Sequence, residues 1–117
     1  MSQKKLSICV INQFDALHKF KDAPEEVSYL RNLHRHTFIV TSKIEVFHED
    51  RELEFYMVKD FIKTLLDDIS SLGGNMSCEN ICSYVLQNLK NKYGTDRDYV
   101  ISCSEDGQNK AILEETK

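Results

Sequence analysis

Apolar and polar positions alternate from Leu6 through Ile8 and Val10 toward Phe14, the period-two pattern of a β-strand with one buried face. From Lys19 to Asn32 the chain turns polar around its only proline, Pro24, and reads as a long loop. The clearest alternation follows. His34, His36, Phe38, Val40, Ser42, Ile44 and Val46 share one parity, so a strand here carries two histidines at the start of a mostly apolar face. The charged run His48-Glu49-Asp50-Arg51-Glu52 then predicts a turn.

The period changes after that turn. Met57, Val58, Phe61, Ile62, Leu65, Leu66, Ile69 and Leu72 recur on paired i, i+4 rows, which predicts an amphipathic helix stopped by Gly73-Gly74. Ser77 has the character of an N-cap for a second helix with the stripe Ile81, Val85, Leu86, Leu89 and Tyr93, and Gly94 supplies its stop. Tyr99 to Ser104 predicts a third strand, Asp106-Gly107 a turn, and Lys110 to Glu114 a fourth strand. The order ββααββ predicts an α+β domain, a four-stranded antiparallel sheet with two helices on one face.

Length and charge narrow the function classes. The 117 residues suffice for one domain spanning 1–117. A net charge of −4 and a pI near 5.5 argue against nucleic acid held on a broad basic surface. No apolar stretch has the length to span a bilayer, and Met1-Ser2-Gln3-Lys4-Lys5 leads into a strand rather than a signal peptide. A cytoplasmic location is therefore expected, with Cys9, Cys78, Cys82 and Cys103 as reduced thiols. Cys78 and Cys82 share a face of the second helix, as packing residues or as a metal-binding pair.

Candidate chemistry begins with the histidines. In a strand, His34-Arg35-His36 turns both imidazoles to one side, with Cα atoms about 6–7 Å apart. A third histidine such as His18 would complete a three-ligand zinc site with one open position. The simpler alternative is a strand that begins with two surface histidines.

Further motifs accompany them. Phe14-Asp15-Ala16-Leu17-His18 resembles a Phe-x-Ala-x-His signature, and Leu33-His34-Arg35-His36 resembles Leu-His-Gly-His. Met57-Val58-Lys59-Asp60-Phe61, Leu66-Asp67-Asp68 and Met76-Ser77-Cys78-Glu79-Asn80 follow in order, and Glu105 stands between the last two strands. In this order they resemble the 6-pyruvoyltetrahydropterin and 6-carboxytetrahydropterin synthase family, from about Leu6 to Leu113. The resemblance implies a tunnelling fold, assembled as a homo-hexamer with pterin sites between subunits. It implies zinc held by His18, His34 and His36, and a pterin gripped by Glu105 beside Glu79 and Ser77. The implied reaction is lyase chemistry on dihydroneopterin triphosphate or a related dihydropterin.

The chain also departs from that pattern. Leu30 stands where the family has its catalytic cysteine, Asp68 where it has an assisting histidine, and Arg35 where it has glycine. Leucine cannot ionise, and an aspartate of ordinary pKa, near 4, is a poor proton donor at neutral pH. Replacement acids or bases would come from Glu25, Glu26, Asp67 or Cys78. Each has an ordinary alternative: a solvated acidic pair, an exposed helix acid, a small residue opening a helix. The alternative function is a catalytically silent relative that keeps zinc and binds a pterin or purine-like ligand.

Overall fold

Alternation in the first strand continues past Phe14 to His18, so that β1 (Leu6–His18) and β2 (His34–Val46) are thirteen residues each in a computed structural model that describes residues 3–71 and 76–117. They pair antiparallel along their whole length, from Leu6 opposite Val46 to His18 opposite His34. Next come α1 (Phe55–Ser71), α2 (Cys78–Tyr93), β3 (Tyr99–Glu105) and β4 (Asn109–Glu115). The sheet is antiparallel in the order β1-β2-β3-β4, and the chain has the expected α+β architecture. Among the described residues no helix is long and apolar enough to cross a membrane.

One face of the sheet makes the core. Val10, Phe38, Val40, Ile44, Tyr99, Ile101 and Cys103 pack there against Val58, Ile62, Leu66 and Ile69 of α1 and Ile81, Val85 and Leu89 of α2. Burying a Val, Leu or Ile side chain contributes roughly 1.5–3 kcal/mol, so this layer supplies most of the drive to fold. Among the described residues no helix covers the opposite face, and it exposes Ile11, Leu17 and Ile112.

Local chemistry sets the element ends. Ser77 caps α2, its hydroxyl accepting from the Asn80 N–H at 3.0 Å. Gly94 ends the helix at φ +108°, where a Cβ would stand 2.9 Å from a carboxylate oxygen of Asp96. Its carbonyl accepts from the buried Tyr99 hydroxyl at 2.6 Å, which ties the helix end to the start of β3. The proposed Gly73-Gly74 stop and Leu72 lie outside the described residues.

Residues 19–32 correct the expectation of a plain loop. Glu25–Arg31 forms a 3₁₀ segment with a kink at Val27. Its footing is local: Arg31 Nε donates to the Ala23 carbonyl at 2.8 Å, and the Phe20 N–H donates to the Leu30 carbonyl at 2.7 Å. None of its residues is buried, so no apolar period announces it.

The register decides where the site lies. Pairing between β2 and β3 begins at Phe38 opposite Glu105, so the β1–β2 ribbon from Phe14 and Phe38 outward to His18 and His34 overhangs the end of β3. The β3–β4 turn closes against this overhang. Thr37 N–H donates to Asp106 Oδ1 at 2.9 Å, and Asp106 N–H donates to the Thr37 carbonyl at 2.7 Å.

Candidate functional site

His18, His34 and His36 meet on the overhang. His18 and His34 are directly opposite across the strand pair, and His36 lies opposite Ala16, whose small side chain leaves room above it. The ring centroids are 5.2 Å apart for His18 and His34, 4.7 Å for His34 and His36, and 6.0 Å for His18 and His36. Phe38 floors the cluster, its ring 5.8 Å from His18 and 6.0 Å from His36, and stacks on Phe14 at 5.1 Å. The apolar floor withdraws the imidazoles from water. Burial lowers the His18 pKa from its ordinary 6.5, with Glu105 pulling the other way.

Each ring has a fixed polar partner. His34 Nδ1 is 2.8 Å from the Asn32 carbonyl, and His36 Nδ1 is 2.7 Å from Asp106 Oδ2. A carbonyl only accepts, so His34 carries its proton on Nδ1, which leaves the lone pair on Nε2. Asp106 is held ionised, below the usual carboxylate range, by the Thr37 N–H and by His36. The Met76 backbone, like Glu105, acts on His18 against the lowering by burial. Carboxylate or carbonyl on Nδ1 and a free Nε2 is the outer support that metal-binding histidines need.

Glu105 faces the same cluster from the end of β3. Its oxygens are 3.7 Å from His18 Nε2 and 3.4 Å from His36 Nε2. Even so, His36 Nε2 is buried without a hydrogen-bond partner. An orphaned nitrogen beside two further imidazoles fits a borderline ion such as zinc, which takes neutral ring nitrogens. Among the described residues, however, no three His, Cys, Asp or Glu side chains are placed as a group that could hold a metal ion.

A cleft of about 840 Å³ opens beside the histidines. His18, His34 and Glu105 line it together with Ser77, Cys78 and Glu79 from the start of α2. Six of the ten residues named from the sequence thus share one space. His36 stands behind, against Asp106. Lys19, Lys21 and Lys110 also line the cleft, as does Asp22, so three lysines face it together with three carboxylates. Residue spacing alone did not indicate Asp106. As a sequence it is only a turn residue, and the register of β2 against β3 is what brings it to His36.

The other proton-transfer candidates lie elsewhere. Asp67 is exposed on α1 and pairs with Lys63 at 3.2 Å. Glu25 is exposed and pairs with Arg31 at 3.4 Å, and Glu26 is also exposed. Asp68 lies on the exposed side of α1. Leu30 lines the cleft, presenting an alkyl side chain there. Arg35 points to the helix-free face, 3.5 Å from Asp15. Of the four candidates only Cys78 lines the cleft. A hydrogen bond with Cys103 lowers its pKa, against the opposing effect of burial.

No family model matches the chain, and no curated protein matches it.

Proposed function

We propose that this protein is a zinc-dependent lyase of the 6-pyruvoyl/6-carboxytetrahydropterin synthase type, acting on dihydroneopterin triphosphate or a related dihydropterin. The observation that carries this reading is the meeting of His18, His34 and His36, with supported Nδ1 atoms on His34 and His36 and an orphaned His36 Nε2, beside a cleft that Glu105 lines. The three imidazoles would hold the zinc, which supplies Lewis acidity toward side-chain oxygens of the substrate.

The rest of the cleft suits the other parts of such a substrate. A carboxylate accepts two parallel hydrogen bonds, which matches Glu105 to the adjacent N–H donors of a pterin ring. To make them the carboxylate turns from the histidines toward the cleft, which it already lines. Lys19, Lys21 and Lys110 are the groups in the lining that would pair with an anionic tail, and the N-terminus of α2 adds its positive end at Ser77 and Cys78. Cys78 is then the proton carrier, taking a proton from the substrate side chain as thiolate and returning it as thiol. With sheet edges free on β1 and β4, the chain assembles as a homo-hexamer.

A second reading has its own support. Leu30 lines the cleft, while Asp67 and Glu25 are engaged in surface ion pairs. These features favour a catalytically silent relative that holds zinc and binds a pterin or purine-like ligand.

Incubating the zinc-loaded protein with dihydroneopterin triphosphate and identifying the product separates the two. For a lyase, Cys78→Ser lowers turnover by about 10²–10⁴ with zinc retained, the usual range for a positioned acid or base. Glu105→Gln weakens pterin binding. Tight pterin binding without turnover, lost in Glu105→Gln, establishes the silent binder instead. Neither turnover nor pterin binding overturns both.

A further inference from the structure

Two apolar side chains, Phe20 and Leu30, line the cleft and take no part in the hydrophobic core. They stand near the two ends of the 19–32 segment. The Phe20 N–H donates to the Leu30 carbonyl at 2.7 Å, which holds the two positions side by side. The Phe20 carbonyl in turn accepts from the N–H of Ala23 at 3.2 Å, and Ala23 is buried. Phe20 is thus bonded through both of its backbone groups, yet it remains 47% exposed. Single apolar residues scattered over a surface need no account, but these two are adjacent, fixed in place and inside a concave site. Among the described residues no other Phe or Tyr lines the cleft.

We propose that Phe20 is the stacking platform for a planar heteroaromatic ring whose edge is held by Glu105. The proposal rests on the reading of the cleft as a site for a pterin or purine-like ligand, and adds the residue that selects for a flat ring. Glu105 lies opposite Asn109 where β3 and β4 meet, and Ala111 lies two positions further along β4 on the same face of the sheet. Ala111 also lines the cleft, so apolar lining begins about 7 Å along the strand from the carboxylate. That span suits a two-ring heterocycle with its N–H edge at Glu105 and its faces against apolar side chains.

The two kinds of contact divide the recognition. Glu105 reads the donors on the ring edge, whereas an aromatic platform accepts any flat ring, because stacking uses the ring face and not its hydrogen bonds. An acyclic anion could pair with Lys19, Lys21 and Lys110 but would leave Phe20 and Leu30 in water. Leu30 has no proton to move; beside Phe20 its alkyl chain extends the apolar surface.

The test uses neopterin, which fluoresces on its own and carries no phosphate. Its anisotropy is followed as the 117-residue chain is added, and the titration is repeated with Phe20→Ala, Phe20→Leu, Phe20→Tyr and Glu105→Gln, each checked for fold by circular dichroism. Phe20→Ala is expected to weaken binding by about 5–150-fold, the range for removing one aromatic ring from under a base. Phe20→Leu keeps apolar bulk without the ring and should weaken with it, while Phe20→Tyr stays near wild type. Should Phe20→Ala fail to fold, the comparison of Phe20→Leu with Phe20→Tyr decides by itself. Wild-type affinity in Phe20→Ala, with affinity lost in Glu105→Gln, overturns the stacking role and leaves the pterin reading in place. Wild-type affinity in Phe20→Leu overturns it equally, since bulk and not a ring would then be what matters. A wild-type chain that does not bind neopterin overturns both.

Discussion

At the scale of single residues, the site depends on which nitrogen of each imidazole is left free. Asp106 fixes this for His36, and the Asn32 carbonyl fixes it for His34. Asp106→Asn keeps the shape but removes the charge that steadies the ring. Zinc affinity, read by competition with a chromogenic chelator, is expected to fall about 10–100-fold without loss of fold. An unchanged affinity would mean that Asp106 serves only the turn. The histidines were legible because strand parity fixes side-chain direction, so one pattern located two of them and placed both on the inner face. Asp106 was not, because its role arises only when β3 meets β2 in the observed register.

At the scale of elements, periodicity located both helices and all four strands, while their ends followed tertiary contacts. β1 runs on to His18 because β2 pairs with it that far, and β3 reaches Glu105 because Phe38 lies opposite. The 3₁₀ segment escaped notice because it buries nothing and leans on backbone bonds. The end of the sheet away from the site is held by charge instead. Arg97 donates to Glu52 and to the Glu45 carbonyl, joining the turn after β2 to the start of β3. Hydrogen bonds from Arg97 and from the Phe47 N–H lower the Glu52 pKa from its ordinary 4.5. A lowered folded pKa gives stability that is complete above about 4.5 and is lost as pH falls through the folded value. Glu45 and Asp98 shift in the same direction, held by Lys117 and Lys5. Urea midpoints measured from neutral pH into the acid range should therefore decline on the acid side. Glu52→Gln should start lower at neutral pH and decline less steeply, and an identical slope would count against the Arg97 bond as its source.

At the scale of the whole molecule, the sheet is finished on one face only. Helices cover the inner face, while the other exposes Ile11 and Ile112, and β1 and β4 each pair with a single neighbour. Open edges recruit further strands, and copies of the same chain can close them into a barrel. The proposed assembly predicts a hexamer in light scattering at micromolar concentration; a monodisperse monomer would contradict it. Such closure would leave the histidine overhang at the end of each β1–β2 ribbon, beside a cleft that is broad and open along the start of α2. The claim beneath all of this is that His18, His34 and His36 hold one zinc. Elemental analysis of the purified chain tests it most directly, by comparison with a variant carrying both His34→Ala and His36→Ala. About one zinc per chain, lost in the double variant, is the predicted result for a three-histidine site. Zinc content that the double variant leaves unchanged would contradict it.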